Sequence, residues 1–267
     1  MDTSKLAYNA TVVGKIMITP DLMILRVCTD TPRAKFVSGQ FTNIGVMAKE
    51  TRSPNSVYSI DQMPPTEMIV RPYSIASANF ETSNFEFYIS QVKSGQLTPR
   101  LFNLVQGNRM WVDENIFGIF NLHNTPDDCN IVMTATGTGL APYISFLRSH
   151  LTEHKDTKLA VFHGAASPWD LGYYSELKFI ESSFHNFYYF PTILKPEASW
   201  TGLTGYIEKH IEAGLLAKNG IEMHPQKTHF YLCGNPKMVE CMTNLLEQYS
   251  YTKHTAEATG ALHIEEY

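Results

Sequence analysis

The chain has 267 residues, 43% of them hydrophobic and 18% charged, with a formal net charge of −5. That length points to two domains of roughly 120–150 residues, and an acidic balance with no basic block speaks against nucleic acid as a partner. No apolar run approaches the ~18–20 residues of a membrane span. The opening MDTSKLAYNA has no apolar signal region, so a cytoplasmic protein is expected.

The first half reads as strands. Val12–Ile18 and Met23–Val27 are short and β-rich, separated by Pro20-Asp21. Glu67–Ser77, Phe85–Val92 and Arg109–Val112 continue the pattern, and no long 3.6-residue period appears before Leu97. Lys49–Pro65 reads as a long polar loop. An antiparallel barrel accounts for this half. The second half alternates. The apolar run Asn130–Thr134 precedes Leu140, Ile144, Leu147 and Leu151 at helical spacing. Lys158–His163, Phe187–Leu194 and Thr228–Cys233 read as further strands, with helices near Ser175–Phe179 and from Pro236 to Leu246. This pattern implies a parallel sheet covered on both faces, with residues 1–123 and 124–267 as the two domains.

Four segments carry chemistry. Thr136-Gly-Thr-Gly-Leu-Ala-Pro142 lies between a strand and a helix, where glycines expose backbone N–H groups and the helix N-terminus favours a pyrophosphate. It matches neither the G-x-G-x-x-G fingerprint nor a Walker loop. Tyr231-Leu-Cys-Gly-Asn-Pro236 also ends a strand before a helix, so the two turns are expected to converge on one crevice. In Arg71-Pro-Tyr-Ser-Ile-Ala-Ser77, strict alternation sets Arg71, Tyr73, Ile75 and Ser77 on one face and Pro72, Ser74 and Ala76 on the other. In Gly95-Gln-Leu-Thr-Pro-Arg-Leu101, Thr98 is a candidate N-cap. The four cysteines, at 28, 129, 233 and 241, lack the close spacing of an iron–sulfur or zinc framework. His150-Leu-Thr-Glu-His154 matches a zinc-protease pattern but falls at a helix end, where histidines suit the dipole. No metal is expected.

An R-x-Y-S-x-x-S strand, a G-x-L-T helix start, a T-G-T-G-x-A-P loop, a C-G-N-P turn and the C-terminal Glu265-Glu266-Tyr267 occur here in that order. The ordered set resembles the ferredoxin/flavodoxin–NADP reductase family, in particular its bacterial flavodoxin-reductase branch, over roughly Lys15 to Tyr267. The resemblance implies an FAD-binding barrel followed by an NAD(P)-binding α/β domain. It also implies hydride exchange between NAD(P)H and FAD, and one-electron exchange with ferredoxin or flavodoxin. A reductase serving free flavin or an oxygenase component is the alternative.

The resemblance further implies residue roles. Arg71, beside Pro72, pairs with the FAD pyrophosphate, Tyr73 stacks on the isoalloxazine and Ser74 bonds near its N5. Tyr88 meets the ribityl or adenine side, and Gln96, Leu97 and Thr98 hold a phosphate. Gly137, Thr138, Gly139 and Pro142 form the loop where flavin and dinucleotide meet. Cys233, with Gly234 and Asn235, and Glu265 lie beside the nicotinamide, while Tyr267 covers the other flavin face. Relatives grip the 2′-phosphate of NADP with arginines, whereas the matching positions here read Ala166, Lys195 and Tyr206. Lysine is a point charge without the bidentate fork of arginine, so NADH becomes a candidate beside NADPH.

Overall fold

A computed structural model describes residues 6–32, 35–57, 63–81, 84–154 and 156–266. The chain divides into two compact units. Unit 1 comprises residues 1–119 with 144–149, and unit 2 comprises residues 120–143 with 150–267.

Unit 1 contains strands β1 (Ala10–Thr19), β2 (Leu22–Thr29), β3 (Phe41–Met47), β4 (Met68–Ser74), β5 (Asn84–Ser90) and β6 (Arg109–Phe117), and helix α1 (Thr98–Asn103). The sheet order is β4-β3-β6-β1-β2-β5, with every pair antiparallel. Its two edge strands also meet. Ile75 bridges to Phe87, and the Ala76 N–H donates to the Glu86 carbonyl at 2.8 Å, closing the sheet into a barrel. Closure removes the exposed strand edges that would otherwise invite pairing with another chain. Inward side chains such as Met23, Leu25, Ile44, Phe85, Phe87, Leu101 and Val112 form one core. Each such burial is worth roughly 1.5–3 kcal/mol. The β3 strand escapes a propensity reading because Thr42, Asn43 and Gly45 dilute its apolar residues.

Buried charges pin this barrel. Arg100 is 1% exposed; its guanidinium donates to the Ala48 carbonyl at 2.8 and 3.1 Å and to the Gln96 carbonyl at 2.6 Å. The end of β3 is thereby tied to the segment entering α1. Lys15 donates to the Phe102 and Leu104 carbonyls at the C-terminal end of α1, a favourable place for a cation, and burial lowers its pKa. Glu86 on β5, also buried, receives Arg26 and Arg148, each at 2.6 Å.

Unit 2 contains β7 (Asn130–Thr136), α2 (Ala141–His150), β8 (Leu159–Ala165), α3 (Tyr174–Ser183), β9 (Phe187–Ile193), β10 (Leu203–Thr204), α4 (Ile207–Glu212), α5 (Leu215–Lys218), β11 (Thr228–Cys233), α6 (Pro236–Glu247) and β12 (Leu262–Glu265). The second half of α2 counts with unit 1. The sheet is parallel, in the order β10-β9-β8-β7-β11-β12. The chain steps outward from β7 to β10, then returns to lay β11 on the other side of β7. That reversal is a topological switch point, where open parallel sheets bind ligands at their strand carboxyl ends. The strands β10 and β12 and helices α4 and α5 are too short to leave a periodic signal. No described helix is long and apolar enough to cross a membrane.

The unit 2 core contains neutral histidines. His163 on β8 is fully buried, its Nδ1 lies 3.0 Å from the Tyr189 hydroxyl, and burial pushes its pKa down to about 3. His263 on β12 stacks on Tyr231 with ring centroids 4.2 Å apart and lies 3.0 Å from His229 Nδ1. Burial, and then the nearby His229 and His254, push its pKa down to about 3 as well. These imidazoles refuse a proton that the unfolded chain accepts below pH ~6.5. The stability they support is therefore complete above that pH and is lost as pH falls toward 3. Each buried histidine is expected to cost about 1 kcal/mol of stability per pH unit below 6.5. Urea midpoints at pH 7.5 and 5.5 measure this, and His163→Gln should flatten the dependence relative to the parent protein.

Candidate functional site

The two turns at the unit 2 switch point touch. After β7, Gly137–Leu140 forms a 3₁₀ turn that leads directly into α2. A Cβ on Gly139 would collide with the Cys233 carbonyl and the Gly234 Cα, so glycine is what lets the β7 turn lie against the β11 turn. The Asn235 N–H donates to Thr136 Oγ1 at 2.7 Å, a second tie between the same turns. Asn235 also caps α6, its side chain accepting the Lys237 N–H at 2.9 Å. Thr138 is half-buried, Gly137 is exposed and Pro142 is buried within the first turn of α2. The arrangement sets the glycine-bearing turn directly before α2, and a helix N-terminus is a place that favours an anion.

Beside these turns, Cys233 is register partner to Glu265 across β11 and β12, and its thiol reaches toward Glu265 Oε2 at 3.7 Å. Cys233 is buried and Glu265 half-buried. A weak S–H donor thus faces a carboxylate at the carboxyl end of the sheet. Tyr267 lies outside the described residues.

Farther along the same edge, the backbones of Ala166 and Lys195 pair. The Lys195 N–H donates to the Ala166 carbonyl at 2.8 Å, continuing the β8–β9 ladder past both strands. Both side chains are exposed, as is Tyr206 at the start of α4. The structure therefore brings Ala166 and Lys195 together.

In unit 1, Arg71 and Pro72 on β4 are exposed, Tyr73 is half-buried and Ser74 is buried. Tyr73 meets Phe87 edge-on, with ring centroids 6.5 Å apart, and burial raises its phenol pKa. The alternation expected through Ser77 does not show in the burial, since Arg71 and Pro72 are both exposed and burial then rises steadily to Ser74. Ile75, Ala76 and Ser77 are all buried because the chain leaves β3 there and crosses to β5 at the barrel seam. Ser145 and Arg148, both counted in unit 1, hold that crossing by donating to the Ser77 and Ala76 carbonyls. Tyr88 is buried on β5, opposite Ile24.

Thr98 is not an N-cap. The cap position is Leu97, and Thr98 opens the helix with its hydroxyl accepting the Val92 N–H at 2.9 Å. Leu97 is buried. Gln96 Oε1 lies 3.3 Å from guanidinium nitrogens of both Arg52 and Arg100. Sequence reasoning gave Arg100 no role although it stands in the same motif, and missed Arg52 because it is 44 residues from Gln96 and nothing in the spacing connects them. An exposed Arg71, a half-buried ring and guanidinium groups at Gln96 are a donor set suited to a flat, anionic cofactor. The zinc-protease pattern dissolves, because α2 ends at His150, which pairs with Glu153 at 2.7 Å while His154 lies beyond the helix.

The model of the oxidoreductase NAD-binding domain matches residues 133–244. The flavodoxin/ferredoxin–NADP reductase of Buchnera aphidicola subsp. Baizongia pistaciae is 30% identical over 247 residues, covering 91% of this chain and 92% of that one. The flavodoxin/ferredoxin–NADP reductase of Escherichia coli K12 is 31% identical over 209 residues, 78% of this chain and 77% of its own. Among solved structures, a ferredoxin NADP+ reductase from Neisseria gonorrhoeae with bound FAD and NADP superposes with a TM-score of 0.80. It is 22% identical and covers 96% of this chain and 97% of its own, so the likeness shows the fold.

The contact between the two turns yields a paired expectation. Gly139→Ala forces backbone apart at Cys233 and should cost about 2–3 kcal/mol, together with dinucleotide binding. Gly137→Ala adds a Cβ into open space and strains only a backbone at φ +55, which should cost about 1 kcal/mol. Denaturant midpoints of the two variants, with dinucleotide titrations, make the comparison.

Proposed function

The chain belongs to the flavodoxin/ferredoxin–NADP reductase family, and on that footing we propose that unit 1 holds a flavin through Arg71, Tyr73 and Ser74 while unit 2 holds a nicotinamide dinucleotide at its two joined turns. The protein is an FAD-dependent oxidoreductase that exchanges hydride with NAD(P)H and single electrons with a ferredoxin or flavodoxin. The observation that carries the reading is the contact of Gly139 with Cys233 and Gly234 at the switch point. It joins an anion-binding loop to the Cys233–Glu265 pair. We place the exchange in the cytoplasm, where a reduced dinucleotide and a carrier protein meet.

Bound FAD supplies the redox chemistry, and the protein positions and tunes it. Arg71, exposed on β4, offers a fork to a pyrophosphate. Tyr73, with one edge against Phe87, offers a ring face for stacking. Ser74, buried where the strand leaves the sheet, offers a hydroxyl near the flavin N5. Gln96, Leu97 and Thr98 hold phosphate through backbone groups, with Arg52 and Arg100 supplying positive potential at Gln96. Tyr88 is assigned to the ribityl or adenine side. In unit 2, Gly137, Thr138, Gly139 and Pro142 hold the dinucleotide pyrophosphate, and Cys233, Gly234, Asn235 and Glu265 frame the nicotinamide. Ala166 and Lys195 meet the adenosine half.

Arg71→Ala should weaken FAD binding by about 1.5–3 kcal/mol, on the order of 10–100-fold, because a charge-assisted bond is lost. Fluorescence of released flavin during dilution of the yellow holoprotein reads this directly. A parent protein that purifies colourless and fails to take up added FAD overturns the assignment.

A further inference from the structure

The polar stretch between β3 and β4 belongs to none of the motifs, yet its first part is fastened to one of them. Residues 48–57 lie along the turn that leads from β5 into α1, the turn that carries Gln96 and Leu97. Two backbone bonds join the segments. The Ser53 N–H donates to the Pro99 carbonyl at 2.8 Å, and the Val57 N–H donates to the Lys93 carbonyl at 3.0 Å. The buried Gln91 amide donates to the buried Ser53 hydroxyl between them.

Arg52 spans the junction. One guanidinium nitrogen donates to Gln96 Oε1 at 3.3 Å, and another donates to the carbonyls of Val57 and Lys93 at 3.1 and 3.3 Å. A single side chain thus ties residues 52–57 to both the start and the end of the turn. Other contacts complete the frame. Lys93 pairs with Asp21, in the β1–β2 connection, at 2.8 Å. The Thr98 hydroxyl accepts the Val92 N–H at 2.9 Å, and Arg100 donates to the Gln96 carbonyl at 2.6 Å. The turn itself contains Gly95, so its backbone has more freedom to lose than most when a ligand orders it. All of these residues belong to unit 1.

We propose that Arg52 is a positioning residue for the flavin: by bridging residues 52–57 to the β5–α1 turn, it holds that turn in the shape that receives a flavin phosphate, and so sets how slowly FAD leaves. A site already ordered in the free protein loses less conformational entropy on binding, which strengthens affinity without any new contact to the ligand. Arg52 acts through the Lys93 carbonyl and the Gln96 side chain. The role requires the planar fork of a guanidinium, which meets three acceptors at once, and not merely a positive charge. This deepens the functional reading above and rests on its placement of a phosphate at Gln96, Leu97 and Thr98.

The test follows FAD release from the diluted holoprotein by flavin fluorescence, and FAD affinity by titration of the flavin-free protein. The parent is compared with Arg52→Met, Arg52→Lys, Thr98→Val and Arg71→Ala, and melting temperatures are recorded with and without FAD. Arg52→Met should speed release and weaken FAD on the order of tenfold. The rise in melting temperature on adding FAD should shrink, while the flavin-free proteins melt alike. Arg52→Lys keeps the charge but not the fork and should resemble Arg52→Met. Full recovery in Arg52→Lys overturns the proposal, because charge alone would then suffice. So does an equal fall in melting temperature with and without FAD, which would make the bridge merely structural. If Thr98→Val weakens FAD and Arg52→Met does not, the turn holds flavin without help from Arg52 and the proposal alone falls. If only Arg71→Ala weakens FAD, the placement of a phosphate at this turn falls as well.

Discussion

The close approach of Gly139 to the Cys233 carbonyl constrains the carboxyl edge of the unit 2 sheet. Strands β7 and β11 run parallel and adjacent, so their following turns emerge side by side and compete for the same space. A side chain on Gly139 would separate them; with glycine the backbone of one turn lies on the other, and the Asn235 N–H can reach Thr136 Oγ1. One consequence is that the start of α2 and the start of α6 are held at a fixed spacing by backbone rather than by mobile side chains. On the proposed placement of the dinucleotide, an anion on the first turn and a ring beside the second are positioned by the same contact. The Cys233 thiol, buried and facing Glu265, inherits its place from it.

A comparable economy operates in the barrel. The Arg71–Ser77 segment is at once half of an edge strand and the seam that closes the sheet. Up to Ser74 it pairs with β3, leaving Arg71 exposed and Tyr73 half-buried; from Ile75 it pairs with β5 and is buried throughout. Closure thus makes the exposed part rigid, because the residues after it cannot move without opening the barrel. Glu86 reinforces the seam. Its carbonyl accepts from Ala76, its carboxylate binds Arg26 and Arg148, and Arg148 also bonds the Ala76 carbonyl. Burying a carboxylate without such partners would be prohibitive, so the ion pairs and the seam are mutually dependent.

Much of this was legible in the sequence because its signals are local. Thr228–Cys233 reads as a strand from β-branched and aromatic residues in a short run, Pro236 marks a helix start, and Thr136–Gly139 declares a turn that admits backbone close to a ligand. The two-domain plan followed from length and from the change from strands to alternating strands and helices, while the order of the motifs along the chain carried the resemblance to the family, and each motif needs only a few consecutive residues. The weak strand β3 and the short elements β10, β12, α4 and α5 were not legible, since their residues take their conformation from neighbours across the sheet rather than from their own propensities. The N-cap reading of Thr98 failed for a related reason: its hydroxyl is claimed by Val92, six residues earlier, in the turn that brings β5 to α1.

By itself the sequence determined which chemistry the chain can hold. It has a glycine-bearing turn between a strand and a helix, a cysteine at a strand end, a strand bearing Arg71, Tyr73 and Ser74, and no arginine at Ala166, Lys195 or Tyr206. Only the tertiary structure decided which of these groups act together. Gly139 meets Cys233, far along the chain, because parallel pairing of β7 and β11 aligns their ends. Arg52 meets Gln96, and Trp169 meets Glu197, because separate loops leave the same edge of a folded sheet. Such meetings depend on strand order and register, which arise from packing the whole core and are written in no single stretch of residues.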